Sequence, residues 1–429
     1  MKQFCLLLFF SFALLFSQAQ SKNKKIYVSK GSDNGAWVNG SALSAGDTVA
    51  LRASDSPFSY VYMPGLVGTL AHPIIVINEG GPVHMTAGFS LENCQYVHIT
   101  GTGSRDQYGF QIKGAGETSA GSSINIAKKS KNVEVNNVSI TNAGYGFWIK
   151  NEADCDNTVN NWVLDSISVH DCYFRNMNSQ AFYAGTTAPN GDRPISCNGK
   201  ETHPRPSRLG HIRIYNNYID STGRSGIQLS NASVGLSEIF NNHVNHCGRQ
   251  FNDWQGNGIG IGSYSRVYIH HNKIRNTYTD GIMSFGSFTR IENNNIDSSG
   301  YLEGKSLAWP WNILVDTRET IPVDSTSVII RNNVMGKAAN KENIYLGKQV
   351  NSWAAGNEIC NNTSGGKPAK VFVTGGIRWT SCGVVMKSSS SNSNLLFIAL
   401  GVAGLIAIFF FTRMRMNYYR KDLSTPAHS

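Results

Sequence analysis

The sequence lacks three patterns that would each point to a common class of protein. None of its eight cysteines forms a C-x-x-C pair, so nothing indicates a zinc site. No basic run lies outside the C-terminal segment 413–429, so a nucleic-acid partner is not expected. The long central part shows no helical periodicity. This excludes a helical bundle and predicts an all-β fold.

Apolar runs lie at both ends of the chain. A positive start, an apolar stretch and small residues before a polar segment are typical of a secretory signal peptide. The second run is just long enough to span a bilayer, and the basic residues behind it predict a cytoplasmic end. We therefore expect export and a single-pass anchor, with the ectodomain at the cell surface or in the periplasm. The expected organisation is a signal peptide at 1–20, an ectodomain at 24–386, a Ser-rich linker at 387–394, a transmembrane helix at 395–412 and a basic tail at 413–429.

Charge and cysteine content narrow the expectations for the ectodomain. Part of the formal net charge of +10 comes from Lys2 and the tail, so the remaining excess is mild and fits an acidic polymer as partner no better than it fits no particular partner. Export would permit disulfides. Seven cysteines follow the signal peptide, and we suggest the pairs Cys155–Cys197 and Cys360–Cys382.

A repeat runs through the centre of the chain. Five segments superimpose without gaps, at 212–219, 237–244, 267–274, 289–296 and 328–335. Each alternates apolar and polar residues, as a strand does, and then has a pair of Asn-like residues. Asparagine tolerates the left-handed backbone, and stacked turns can form an asparagine ladder. The repeat therefore predicts a solenoid, specifically a parallel β-helix. A β-sandwich is the alternative, but it would not repeat its turn chemistry in register.

The repeat also decides how to interpret His270, His271 and Asp280, which could otherwise suggest a metal or acid–base site. Both histidines fall inside one repeat unit, so we interpret them as scaffold. Only Asp280 remains a candidate for chemistry. We place His271 in the column of ladder asparagines, which holds Asn216, Asn241, Asn293 and Asn332.

These features resemble the right-handed parallel β-helix superfamily, the pectin-lyase-like fold, over residues 24–386. The resemblance implies three strands per coil and a ligand groove over the sheet of first strands. It implies less about activity, because this fold hosts lyases, hydrolases, epimerases and inert spikes. With the chain placed on this fold, the Gly-rich stretch 256–262 is predicted to form a groove floor without side chains, whose backbone a ligand could approach closely. The long loops predicted to wall it are 151–164, 185–210, 246–257, 298–311 and 317–325.

Two chemistries suit the resembled fold. A lyase needs a base and a cation beside a uronate carboxylate, whereas a glycoside hydrolase needs two carboxyl groups. We predict Arg224, Asp280 and Asp253 as catalytic residues: the first two precede first strands at the groove edge, and Asp253 lies beside Trp254. The predicted substrate-binding residues are Lys150, Tyr183, Arg205, Arg208, Gln228, Trp254, Trp309, Trp311 and Asp316. No cofactor and no metal-ligand set is evident, although calcium is left open.

Two short matches to relatives with this fold are incomplete. Residues 203–217 are similar to the Arg-x-Gly-x-x-His-x-x-Asn-Asn run of pectate lyases, but the spacing from the arginines is off by one. Residues 276–280 are similar to the Asn-Thr-Asp of polygalacturonases, whose other motifs are missing. We therefore predict a monomeric, membrane-tethered protein that cleaves or modifies an acidic, uronate-containing polysaccharide, by lyase chemistry rather than hydrolysis. A non-catalytic glycan-binding or structural (adhesin) module is the alternative.

Overall fold

The computed structural model describes the backbone and side chains of residues 23–116, 121–191, 194–316, 326–347, 357–374 and 379–382, and the backbone of 384–386. The chain divides into two units, 1–386 and 387–429, and only the first contains described residues. The expected signal peptide, linker, membrane helix and tail all lie outside the described residues. Within the described part, no helix is long and apolar enough to cross a membrane.

The described chain winds into coils whose strands pair in parallel with the same strand of the next coil, except at the carboxy-terminal end, where Trp379–Ser381 and Val384–Met386 pair antiparallel. The second-strand sheet consists of Lys25–Tyr27, Thr48–Arg52, Ile74–Glu79, Gln95–Thr100, Lys131–Asn136, Val163–His170, Arg208–Gly210, Arg213–Tyr215, Ser237–Phe240, Arg266–His270, Phe288–Glu292, Ser327–Arg331, Glu358–Cys360, Trp379–Ser381 and Val384–Met386. The third strands are Phe110–Lys113, Val138–Thr141, Tyr173–Met177, Tyr218–Thr222, His243–Cys247, Lys273–Thr277, Asn295–Ser299, Val334–Met335 and Thr363–Ser364.

The first-strand sheet carries the predicted groove. Its strands are Ala36–Trp37, Phe58–Pro64, Val83–Glu92, Ser122–Ala127, Tyr145–Ile149, Phe182–Ala184, Ile227–Leu229, Ile259–Ile261, Ile282–Ser284, Ile313–Val315, Ile344–Leu346 and Val371–Val373. The remaining short elements are the strands Ile195–Cys197, Lys200–Thr202, Tyr301–Leu302, Lys305–Ser306 and Lys367–Pro368, and 3-10 turns at Gly40–Ala42 and Ala53–Asp55. The parallel β-helix is therefore confirmed.

The core is a stack of side chains that point inward from successive coils. In the first-strand sheet, Ile227 pairs with Ile259, which pairs with Ile282, and all three are fully buried. Toward the amino-terminal end of this column, the rings of Phe147 and Phe182 stack 5.2 Å apart. Each coil covers its apolar face only by stacking on its neighbours. The predicted alternation is found in the second strands, where Val267 and Ile269 are buried between the more exposed Arg266, Tyr268 and His270.

The asparagine ladder exists, but it lies one residue later than predicted. Asn216 and its equivalents, including His271, have φ between 54 and 56°, so they form the exposed left-handed turn. The buried ladder is the second residue of each pair, in which each amide Nδ2 donates to the next Oδ1 over 2.8–3.0 Å. Its members are Asn217, Asn242, Asn272, Asn294, Asn333 and Asn362. The left-handed turn is what directs the next side chain into the coil.

Both suggested disulfides are present. Cys155 and Cys197 join two long loops with a Cα–Cα distance of 5.7 Å. Cys360 and Cys382 join adjacent coils of the second-strand sheet with a Cα–Cα distance of 5.0 Å. Both distances lie in the usual range. The other three described cysteines are buried thiols, which accounts for the odd number.

Candidate functional site

The outward face of the first-strand sheet forms a continuous strip. From the coil of Trp148 onward, one residue from each coil lies in register along it: Trp148, Tyr183, Gln228, Gly260, Met283, Leu314, Tyr345 and Phe372. The same column continues toward the amino terminus through Asn125, Ser90 and Tyr62 to Trp37. From Trp148 to Phe372, seven steps of about 4.8 Å give a strip of roughly 34 Å. Aromatic rings occupy both ends, whereas the middle holds an amide, a glycine and two aliphatic side chains. The ends of the strip therefore offer rings to a ligand.

A buried lysine lies among the aromatic rings at the amino-terminal end. The Lys150 Nζ is 4.4 Å from the ring centroid of Trp148 and 4.6 Å from that of Tyr183. The ring of Tyr145 stacks on Tyr183 at 5.9 Å and meets Trp148 edge-on at 4.9 Å. The Lys150 side chain is only 5% exposed, and its ion-pair partner Glu152 is 50% exposed. We call Tyr145, Trp148, Lys150 and Tyr183 the Lys150 cluster.

The Lys150 cluster joins two residues that the sequence predicted as substrate-binding, Lys150 and Tyr183. Neither Trp148 nor Tyr145 was among the predicted site residues. Strand alternation would place Tyr145, three residues before Trp148 in the same strand, on the opposite face, so no local pattern points to it. Cation–aromatic contacts strengthen when water is excluded, so these rings hold the ammonium group in place.

Two predicted arginines lie at the edge of the sheet next to Lys150. Ser207, which stands between them in the chain, accepts a hydrogen bond from Asn151 Nδ2 at 3.2 Å. Arg205 lies with its Cζ 5.4 Å from the ring centroid of Tyr264, and its Nε donates to the carbonyl of Pro189. The Arg208 Nε is buried and has no hydrogen-bond partner among the described residues. The Tyr264 contact places Arg205 along the same edge as Lys150 but three coils beyond it.

Two of the predicted catalytic residues lie in loops at the opposite edge. Arg224 Nε donates to Gln250 Oε1 at 3.1 Å. Asp253 is exposed and accepts from the hydroxyl of Tyr278 at 3.4 Å.

Asp280 is enclosed rather than at the groove edge. Its side chain is 0% exposed, its Oδ1 accepts from the backbone N–H of Trp311 at 2.8 Å, and its Oδ2 has no partner among the described residues. Burial raises the pKa of this carboxyl to about 7. Such a pKa suits a general base, but no substrate atom can reach a fully enclosed oxygen. Arg224 also lies about two coils away, roughly 10 Å.

The three predicted tryptophans lie in two aromatic pairs at the carboxy-terminal half of the strip, and Tyr345 is the fourth ring. Trp254 is 63% exposed and lies 6.0 Å from Trp309. The ring of Trp311 lies 4.6 Å from Tyr345. Asp280 thus has a structural role here, because its bond to the Trp311 backbone holds the end of the loop that carries Trp309 and Trp311.

The bare glycine floor predicted in the middle of the strip is wrong. A Cβ on Gly262 would lie 2.0 Å from Ser230 Oγ, and one on Gly260 would lie 3.0 Å from Gln228 Oε1. Gln228 donates to Ser230 over 3.0 Å. The space above these glycines is therefore filled by neighbouring side chains. Gln228 and Asp316 are only 7% and 5% exposed, so each of them, like Lys150, would meet a ligand only after neighbouring side chains move.

The fold and this strip define the chain as a parallel β-helix protein with an aromatic, basic surface on one sheet. No protein-family model matches the sequence, and comparison with curated proteins finds no match. Among solved structures, the chain is similar to the A-module of a mannuronan C-5 epimerase from Azotobacter vinelandii, at 12% identity and a TM-score of 0.46, covering 78% of this chain and 91% of that one.

Two further solved structures are similar at the same level. A lacto-N-biosidase from Eubacterium ramulus has 13% identity and a TM-score of 0.44, covering 79% of this chain and 62% of that one. An alginate lyase from a Paenibacillus species has 15% identity and a TM-score of 0.37, covering 82% and 94%. These likenesses concern the fold and assign no activity to this chain.

Proposed function

We propose that the protein binds an acidic, uronate-containing polysaccharide along the first-strand sheet and cleaves it by β-elimination at the Lys150 cluster. The observation that carries the proposal is the Lys150 side chain, which is 5% exposed and whose ammonium group lies close to two aromatic rings. Arg205 and Arg208 add positive charge at the same edge. Rings that can stack on sugars, beside cations that can pair with carboxylates, match a uronate chain.

The chemistry follows from these positions. In β-elimination the proton on the carbon beside the carboxylate leaves to a base, a carbon–carbon double bond forms, and the glycosidic bond breaks. The leaving oxygen then takes a proton. Lys150 would neutralise the carboxylate and so stabilise the charge that develops on it. Its present partner, Glu152, can turn to solvent, because half of its side chain is already exposed. As the base, the Tyr183 oxygen, 3.3 Å from Thr187 Oγ1, would first give its own proton to solvent. It would then accept the proton from the sugar carbon and pass it to the leaving oxygen.

A non-catalytic glycan-binding module is the second candidate function. It is favoured by one observation: the residues predicted as catalytic are not assembled, since Asp280 is enclosed and Arg224 and Asp253 lie in loop contacts of their own. An aromatic strip alone is enough for binding. The two candidates differ in whether product accumulates.

Replacing Lys150 tests the proposed centre. We expect the full-length protein to cleave alginate or pectate and leave unsaturated sugar ends. Ultraviolet absorbance measures the unsaturated ends, and a reducing-end assay measures the number of cuts. Lys150→Ala should lower kcat/KM by about 100-fold, the usual cost of removing one group that stabilises developing charge. Lys150→Arg should recover part of this activity. Lys131→Ala, an exposed lysine on the second-strand sheet, is the control and should be neutral.

Two outcomes would contradict this centre. Full activity in Lys150→Ala would exclude the cluster, and binding of both polymers without any product would overturn cleavage in favour of the second candidate. Arg224→Ala and Asp253→Asn test whether the catalytic centre lies at the opposite edge of the sheet instead. If either one abolishes turnover while Lys150→Ala does not, the catalytic centre belongs to that edge.

Trp254 provides a separate test of binding. Its ring is 63% exposed, so Trp254→Ala should leave the melting temperature unchanged but weaken polymer binding about tenfold, equivalent to about 1.4 kcal/mol. Affinity electrophoresis in gels containing the polymer measures this directly. Tyr27→Ala removes a 46% exposed aromatic side chain from the second-strand sheet and serves as the control. Equal retardation of the two variants would remove Trp254 from the binding surface.

A further inference from the structure

A second groove lies at the turn between the second and third strands, away from the first-strand sheet. Its cavity of about 560 Å³ spans several coils. The residues that matter for recognition are Tyr108, Tyr173, Tyr218, His243, Asp171 and Gln107. No lysine or arginine lines it. In this respect it differs from the basic edge beside Lys150.

A row of tyrosines forms one side of this groove. Tyr173 and Tyr218 occupy equivalent positions in adjacent third strands, and their rings stack at 5.6 Å. Tyr108 extends the row, 5.8 Å from Tyr173, and His243 closes it edge-on at 4.7 Å from Tyr218. Stacked rings present their edges and hydroxyl groups outward. The row therefore offers apolar edges alternating with hydrogen-bonding oxygens.

The end wall of the groove is a loop that hydrogen bonds within the protein hold in place. Gln107 and Tyr108 belong to a loop that Asn137 ties to the coil, since Asn137 Nδ2 donates to the Gln107 carbonyl at 2.9 Å. The base of the same loop is fixed by Asn78, whose Oδ1 accepts from Gly103 N–H at 2.8 Å. A preorganised wall lowers the entropy cost of binding.

Asp171 is the one carboxylate in the lining, and a buttress orients it. It stands in the exposed turn column where neighbouring coils have Asn216 and Asn241. Its Oδ2 bonds His170 Nδ1 at 2.6 Å, and His170 Nε2 bonds Glu134 Oε1 at 3.0 Å. Burial alone would lower the pKa of His170, but the hydrogen bonds to Glu134 and Asp171 raise it overall. The histidine thus holds Asp171 in one orientation.

From these contacts we infer that the groove, which we call the tyrosine groove, is a second glycan site for neutral oligosaccharides. Sugar hydroxyls would donate to the oriented Asp171 carboxylate and bond to the turn amides and tyrosine hydroxyls, while the ring edges contact the sugar C–H faces. An acidic sugar would meet the Asp171 carboxylate directly, whereas the nearest cations, Lys273 and Arg275, lie beside His243 at the other end of the row. Burial, together with Lys273 and Arg275, lowers the pKa of His243, so it adds no charge near neutrality. The inference does not depend on activity at the Lys150 cluster.

The test uses the full-length protein and neutral hexasaccharides of glucose, mannose and xylose, with binding followed by calorimetry at low and high salt. We expect at least one probe to bind with little dependence on salt. Tyr173→Ala and Asp171→Asn should each weaken it about tenfold, and Asp171→Asn retains a residue type that the turn already uses. Tyr27→Ala, which removes a 46% exposed tyrosine elsewhere, should bind normally, and so should Lys150→Ala.

Three outcomes would overturn the inference. These are no binding by any neutral probe, binding that survives both groove variants, or displacement of a bound neutral probe by oligouronates in the Lys150→Ala protein. Concentration-dependent dimerisation that Tyr173→Ala abolishes would instead assign the groove to a second copy of the chain. Failure of the Lys150 variants to affect cleavage would not bear on this site.

Discussion

Asp280→Asn should become more stable than the wild-type protein as the pH rises. The folded carboxyl has a pKa of about 7, against its ordinary value of 3.8, because burial penalises the charged form. Between these two values the unfolded chain releases a proton that the folded chain keeps, so rising pH favours unfolding of the wild type. The loss amounts to roughly 4 kcal/mol by pH ~7 and does not grow above it. Asparagine cannot ionise, so the variant escapes this loss.

The measurement is the difference in unfolding free energy between variant and wild type, from urea titrations at several pH values. That difference should rise from mildly acidic pH to neutrality and then level off, because contributions common to both proteins cancel. Asp280→Ala separates ionisation from hydrogen bonding. It should show the same pH dependence but a constant deficit of about 1–3 kcal/mol, because Trp311 N–H loses its acceptor. Parallel curves for the wild type and Asp280→Asn would show that this carboxyl does not titrate as described.

Asn294→Ala should destabilise the coil stack by about 4 kcal/mol, within the range expected when a buried hydrogen-bond network is broken. The side chain is 1% exposed. Its Nδ2 donates to Asn333 Oδ1 and to the carbonyl of Ile269, both at 3.0 Å. Its Oδ1 accepts from both nitrogens of Asn272, at 2.9 and 3.0 Å. Truncation leaves these groups buried without partners, and each such group is costly.

Asn293→Gly is the matched control one position earlier. Asn293 is exposed and has φ of 55°, a conformation that glycine adopts without strain, so this change should leave the midpoint of urea unfolding nearly unaltered. A large loss at Asn293 together with a small one at Asn294 would restore the ladder position first predicted from the sequence.

The fold was predictable because its signals repeat. Apolar and polar residues alternate in several copies, and the asparagine pairs recur at equivalent places, so many weak local signals agree. The one-residue error in the ladder has a physical origin. Both residues of the pair are asparagines in most copies, and only the three-dimensional path shows which one adopts the left-handed turn. The copy with His271 and Asn272 distinguishes the two positions, because only the second position remains an asparagine there.

The candidate site was less predictable because its side chains come from distant coils and loops. Lys150 and Tyr183 could be placed on one face from strand alternation alone. The enclosure of Asp280 depends on how loop 298–311 returns over it, and no local pattern records that path. The glycines at 260 and 262 misled for a similar reason. A glycine in a strand often marks a place where another group comes close to the backbone. The sequence does not show whether that group is a ligand or, as here, the side chain of the neighbouring Ser230.

The ladder has a consequence for how such a protein can change over generations. Successive ladder asparagines are separated by 25, 30, 22, 39 and 29 residues, yet their amide contacts are nearly identical. Insertions of very different length have therefore been absorbed between fixed points without disturbing the strands. A lineage could lengthen or replace a loop beside the strip, and so alter the surface that a ligand would meet, while inheriting the same core. In each coil, the strands and the ladder asparagines maintain the fold, whereas the loops between them provide the surface that could change specificity.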